Sequence, residues 1–192
     1  MPGLSDLSRP ELLRQFAALV DALPLPAWVA VDGPDAAGKT TLADEVAAAV
    51  GPEVSRIEAD RFLRPAAERY RRGRDSPEGY YLDSFDHRAL RAAVDSADGL
   101  AIVDGIFLFR PELDDLWSFR IFVSVSPEES LRRGVARDGE ETRRLYRVRY
   151  LPAQRLYGSR VRPRDRADVV VENEDPARPS ILVREGVRLP GA

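Results

Sequence analysis

Apolar residues recur along this chain in two rhythms, short unbroken runs and longer stretches with an apolar position every third or fourth residue. The short apolar runs are Trp28-Val29-Ala30-Val31-Asp32, Leu100-Ala101-Ile102-Val103-Asp104, Arg120 to Val125 and Asp168-Val169-Val170-Val171-Glu172, with the mixed stretch Val54 to Ala59 a plausible further strand that ends at Asp60. Each is too short for a helix and reads as a buried strand. The other rhythm begins with Leu12, Leu13, Phe16, Leu19, Val20 and Leu23, which predict an amphipathic helix over residues 9–23, ended by Pro24 and Pro26. A second helix carries Leu42, Val46 and Ala49 or Val50 and stops at Gly51-Pro52. A third runs from about His87 to Ser96 with Leu90, Ala93 and Val94 inward. Ser126-Pro127-Glu128-Glu129 opens a fourth: serine caps, proline suits the first helical position, and Glu129 completes a capping box. A fifth extends from about Glu140 to Tyr157, while residues 61–81 break the rhythm and read as an irregular insertion with one short helix.

Strands interleaved with helices predict an α/β domain, with a five-stranded, mostly parallel sheet covered by helices on both faces. A chain of 192 residues can bury the core this needs as a single domain, 1–192. In such sheets ligands bind beyond the carboxyl ends of the strands, so the residues that follow each strand carry the functional question.

The first strand leads into Gly33-Pro34-Asp35-Ala36-Ala37-Gly38-Lys39-Thr40, which fits the Walker A pattern GxxxxGK[ST]. Glycines let successive backbone N–H groups turn inward as an anion nest, and the following helix adds the positive end of its dipole. Lysine is a compact charge on a flexible stem that follows β- and γ-phosphates better than a planar guanidinium does. Lys39 is the one lysine among 29 basic residues, the other 28 being arginines. A glycine turn without a ligand would also fit the letters; strand, loop and helix in succession favour phosphate binding. Gly33, Asp35, Ala36, Ala37, Gly38, Lys39, Thr40 and Thr41 are therefore the expected nucleotide contacts, with Thr40 holding Mg²⁺.

Three aspartates stand at strand ends. Asp32 and Asp60 follow the first and second strands and Asp104 ends the third. Phosphoryl transfer needs one carboxylate to accept the proton of a nucleophilic hydroxyl and others to hold Mg²⁺ or its waters. Turn or cap duty is the alternative for each, most of all for Asp32, which can hydrogen-bond within its own turn. Asp86-His87, at the start of the third helix, reads as a helix cap or as part of a ligand site.

Composition narrows the class. There is no cysteine and one histidine, which excludes disulfides, cysteine-ligated zinc and a His-rich metal site. No apolar run is long enough to span a bilayer, and the N-terminus lacks the basic-then-apolar pattern of a secretory signal, so no membrane association and a cytoplasmic location are expected. A net charge of −3 argues against general nucleic-acid binding. Charge is nonetheless uneven: between Arg132 and Arg166 lie twelve arginines against four acids. That segment is either a solvated helical face or an arginine-bearing lid over transferring phosphate, its lid portion at about 132–150. In the tail, 176–192, Ile181-Leu182-Val183 is either an edge strand or a contact in a homo-oligomer.

The Walker A loop, the aspartate after the second strand, Phe85-Asp86-His87 and Asp104-Gly105-Ile106 together resemble uridine/cytidine kinases. So do Arg132-Arg133 through Arg137-Asp138, Tyr150-Leu151-Pro152 and Ala167-Asp168-Val169-Val170, in order from about Trp28 to Asn173. The resemblance implies a P-loop kinase fold and an ATP- and Mg²⁺-dependent phosphotransferase with an alcohol group as acceptor, a nucleoside 5′-hydroxyl. It implies Asp60 as base, Lys39 and Arg137 at the transferring phosphate, Asp86 and His87 at the acceptor, Arg143 or Arg144 reaching the phosphates, and Asp104 with Thr40 at the metal. The chain departs from the family in reading Arg88-Ala89-Leu90 where Pro-Asp-Ala-Phe is usual after Asp-His, and Asp104 where glutamate is usual. Phe62 follows Asp60-Arg61 where a tyrosine is usual, and the lid is shortened without an Arg-Gly-Arg triplet. Kinases of pantothenate, nicotinamide riboside or sugar phosphates share the same frame. A nucleotide-dependent switch is the reading from a different class, although the Asn-Lys-x-Asp guanine motif is absent.

Overall fold

The structure is a computed structural model that describes residues 5–187; the extreme N-terminus, 1–4, and the end of the tail, 188–192, on which part of the leader and oligomer expectations falls, lie outside the described residues. Among the described residues seven strands form one sheet: β1 (Ser5–Asp6), β2 (Ala27–Asp32), β3 (Val54–Glu58), β4 (Leu100–Asp104), β5 (Phe119–Ser124), β6 (Val169–Glu172) and β7 (Ser180–Val183). Their order is β1-β7-β6-β5-β2-β4-β3. The five strands expected from the apolar runs are the contiguous parallel set β3-β4-β2-β5-β6. The count of five is corrected to seven because the tail residues Ile181-Leu182-Val183 pair antiparallel with β6, and β1 pairs antiparallel with β7. That piece of the tail is thus an interior strand of the sheet.

Alternation along each parallel strand sends side chains to two cores. Val29, Val31, Ile102, Ile121, Val123, Val169 and Val171 face one side, beneath Leu12 and Phe16 of α1 (Arg9–Asp21) and Leu42 and Val46 of α2 (Lys39–Val50). Ala30, Val103, Phe122 and Val170 face the other. There they meet Tyr81 of α4 (Pro77–Asp83), Leu90 and Val94 of α5 (His87–Asp95), and Ala153 and Tyr157 of α8 (Leu151–Val161). Strand β3 lies at the sheet edge, and its mixed sequence Val-Ser-Arg-Ile-Glu is only partly buried throughout. No helix among the described residues is long and apolar enough to cross a membrane.

Three local expectations change. The 61–81 insertion holds two short helices, α3 (Ala66–Arg69) and α4. At the start of α6 (Pro127–Asp138) the capping box is half formed. Ser126 Oγ accepts from Glu129 N at 3.1 Å, but the Glu129 carboxylate binds Arg132 and Arg133, and Ser126 donates to Glu174 instead. The helix expected over 140–157 is segmented. A 3₁₀ turn (Glu140–Thr142), α7 (Arg143–Leu145) and a π turn (Tyr146–Tyr150) precede α8. Pro152 supplies no N–H to the turn before it, and the wider π turn stands where that bond would be missing.

Candidate active site

Strand β2 ends in the buried sheet centre, and the chain must turn sharply there to enter α2. Gly33 makes the turn at φ 152°, and a Cβ at that position would lie 2.2 Å from the Val123 carbonyl oxygen on neighbouring β5. Asp32 is fully buried and spans the turn, accepting from Gly33 N at 2.7 Å and from the Tyr157 hydroxyl of α8. Burial raises its pKa to about 6, against the pull of those two hydrogen bonds. This is structural work, the alternative that the sequence left open for Asp32.

Beyond the turn, the loop closes on itself. Ala36 sits in the left-handed region at φ 57°, and the Ala37 carbonyl accepts from the Asn173 side chain at 2.7 Å. Lys39 is buried, and its Nζ donates to the Pro34 carbonyl across the loop at 2.7 Å. Burial lowers its pKa, opposed by the charges of Asp35, Asp32, Asp60 and Asp104. The acid within the loop, Asp35, is held from outside: Tyr80 Oη donates to one carboxylate oxygen at 2.7 Å and Gln154 Nε2 to the other at 3.2 Å. Ser130 Oγ donates to its carbonyl at 2.7 Å. Through Asp35 the loop is tied to α4, α6 and α8. Thr41 lies exposed in the first turn of α2.

Register in the sheet brings the strand-end acids to the same edge. Glu58 pairs with Asp104 and Val31 with Asp104, so β3, β4 and β2 finish level. Thr40 Oγ1 donates to Asp104 Oδ2 at 2.6 Å. Hydroxyl and carboxylate oxygens side by side at a phosphate loop are a donor set suited to Mg²⁺, which takes one or two protein oxygens and fills its remaining positions with water and phosphate. Asp60 lies two residues past the end of β3, in a 3₁₀ turn (Ala59–Phe62). It is exposed by surface area, yet partial desolvation and the like charges of Asp35 and Asp104 raise its pKa, while Lys39 and Arg137 oppose the rise. Lys39, Asp60, Asp104, Asp35 and Arg137 therefore share one electrostatic neighbourhood.

The acceptor-side and lid residues distribute differently. Asp86 caps α5, its Oδ1 accepting from Arg88 N at 3.1 Å and Ala89 N at 3.0 Å, which lowers its pKa. Its own N–H bonds the Phe62 carbonyl at 2.8 Å, so the Asp86 segment runs alongside the chain that leaves Asp60. His87 has its pKa lowered to about 4 by burial and the Arg110 charge, and is neutral at pH 7. Arg137 forms a two-pronged pair with adjacent Asp138 at 2.6 and 2.8 Å. Arg143 pairs with Glu140, and Arg144 with Asp75 of the insertion, so in this arrangement both are engaged away from the phosphate loop.

Several contributors escaped the sequence reading. Asn173, Tyr157, Gln154 and Ser130 brace the loop or its flanking turn from 95 to 136 residues away and Tyr80 from 45, and no local motif announces them. Arg149 is buried and donates to the carbonyls of Arg74 at 2.8 Å and of Gly73 and Ser76 at 3.3 Å, fastening the insertion to the π turn. The run of arginines around it made it look like one more solvated charge.

No family model matches the chain. Among solved structures, a protein described as a possible uridine kinase from Bacillus stearothermophilus superposes with a TM-score of 0.65 at 20% identity, over 83% of this chain and 98% of that one. A protein from a Silicibacter species, named for a fructose transport system kinase, superposes with a TM-score of 0.63 at 18% identity, over 80% of this chain and 95% of that one. With its Gly33–Thr40 loop between β2 and α2 and its parallel strand order, the chain has the fold of these P-loop kinase-like structures.

Proposed function

We propose that the chain is a small-molecule kinase that transfers the γ-phosphate of ATP to a hydroxyl acceptor. The observation that carries this reading is geometric: β3 ends level with Asp104 of β4, so Asp60, two residues past that end, stands at the same sheet edge as the Thr40–Asp104 pair and the Lys39 loop. A phosphate-binding switch has no need of a base there; a kinase does.

In this reading the loop amides and Lys39 bind the β- and γ-phosphates, so the Nζ exchanges the Pro34 carbonyl for phosphate oxygen. Thr40 and Asp104 hold Mg²⁺, which when bound neutralises phosphate charge. Asp60 orients the acceptor hydroxyl and takes its proton as the new O–P bond forms and the bond to the β-phosphate oxygen breaks. The raised pKa brings Asp60 closer to the strength a base needs near neutral pH. Arg137 lies near enough to add charge at the transferring group once its pair with Asp138 loosens. Arg143 and Arg144 would join it only if the lid shifts and breaks their present pairs.

The acceptor that the sequence resemblance favours is the 5′-hydroxyl of uridine or cytidine, with Asp86 and His87 on the acceptor side. The second structural neighbour, named for fructose transport, supports a sugar-type acceptor as the other reading. Pantothenate and nicotinamide riboside complete the panel. Asp60→Asn tests the base: ATP binding should persist while transfer to acceptor is abolished, and transfer preserved in that variant would remove Asp60 from the role.

A further inference from the structure

Arg56 stands in the middle of edge strand β3, largely buried, and its guanidinium gathers three partners. Nη1 donates to the carbonyl of its register partner Ile102 at 2.7 Å. Nε and Nη2 reach Asp44 Oδ1, on the phosphate-loop helix α2, at 3.0 and 2.9 Å. Nη2 also reaches Asp104 Oδ1 at 2.8 Å. The other oxygen of Asp104 is the one that Thr40 donates to. Both oxygens of the Asp104 carboxylate are thus occupied, one by a neutral hydroxyl and one by a fixed cation.

We infer that Arg56 is a positioning residue that holds Asp104 beside Thr40 and, by its charge, keeps the metal affinity of this site low until nucleotide arrives. This rests on the kinase reading. A buried aspartate already neutralised by a guanidinium offers a divalent cation little on its own. Phosphate oxygens must supply the rest of the attraction, so metal and nucleotide enter together. The fork also explains how the shorter aspartate is aimed: Arg56 anchors it to the carbonyl of β4 on one side and to α2 on the other. Asp44 draws part of the guanidinium charge outward, so it acts on the metal site with opposite sign.

The test is the Mg²⁺ midpoint for binding of a fluorescent N-methylanthraniloyl ADP at 0.15 M salt, read alongside thermal unfolding. Wild-type protein that binds no nucleotide would sink the kinase reading itself, before Arg56 is at issue. With binding established, Arg56→Gln should lower the Mg²⁺ midpoint on the order of tenfold, because a cation next to the site is gone. Arg56→Lys keeps the charge and should keep the midpoint near wild type. An arginine with only a structural role would lower the melting temperature and leave the midpoint in place, and an unchanged or raised midpoint in Arg56→Gln overturns the inference. Should Arg56→Gln fail to fold, exposed Asp44→Asn decides: its midpoint should rise, and an unchanged one overturns the inference equally.

Discussion

Lys39 and Asp32 show how one neighbourhood asks opposite things of two charges. Lys39 is buried with a lowered pKa, its ammonium on the Pro34 carbonyl and within the field of the Asp35, Asp32, Asp60 and Asp104 carboxylates. Lys39→Ala should reduce turnover on the order of 10²–10³-fold, the cost of losing one preorganised transition-state donor, measured as steady-state ADP release. Asp32, by contrast, is buried to hold a turn. Its folded pKa of about 6 exceeds the ordinary aspartate value of 3.8, so its proton stabilises the folded state. The stability is fully present below 3.8 and is lost as pH rises through 6, on the order of 3 kcal/mol in all. Urea unfolding between pH 4 and 7.5 should show this fall in wild type and lose that component in Asp32→Asn. Tyr157→Phe removes the hydroxyl that donates to Asp32 and accepts from Phe109 N at 3.0 Å, and should cost about 1–3 kcal/mol at neutral pH. A stability equal to wild type in that variant would contradict the bracing role.

At the scale of elements, the arginine-rich segment and the insertion are fastened to each other. Gly134 of α6 is packed against the ring of Tyr146 in the π turn, where a Cβ would lie 2.0 Å from the ring. Gly134→Ala must therefore push the π turn away, and a loss of about 1–3 kcal/mol in thermal unfolding is expected; an unshifted melting curve would show that the two helices slide freely. Arg149 and the Arg144–Asp75 pair fasten the insertion to the same turn. What the sequence disclosed here follows from distance along the chain. The five parallel strands, the first helix and the Walker loop are written in local runs of one rhythm, and they were legible. The Arg149 clamp depends on carbonyls more than 70 residues away in sequence, and the tail run Ile181-Leu182-Val183 offered a strand only as one of two readings, because its pairing with β6 and β1 is not written locally. Arg143, Arg144 and Arg149 are equivalent as letters; one is buried under three carbonyls and two are paired at the surface.

For the whole molecule, the sheet order sets the function within reach. Parallel β3, β4 and β2 end level, which gathers Asp60, Asp104 and the Lys39 loop on one edge, while α6 and α8 bring Arg137 and Gln154 over it. That convergence was readable from strand-end acids plus the rule for parallel sheets; the acceptor was not, because Asp86-His87 reads equally as a helix cap and the 61–81 insertion before it carries no periodicity. The most direct measurement follows labelled γ-phosphate from Mg·ATP into uridine, cytidine, fructose, sugar phosphates, pantothenate and nicotinamide riboside, with ADP counted in parallel and Lys39→Ala as control. The kinase account predicts a phosphorylated acceptor formed one for one with ADP, and lost in Lys39→Ala. Nucleotide that binds but yields no acceptor-dependent ADP with any of these compounds would contradict it.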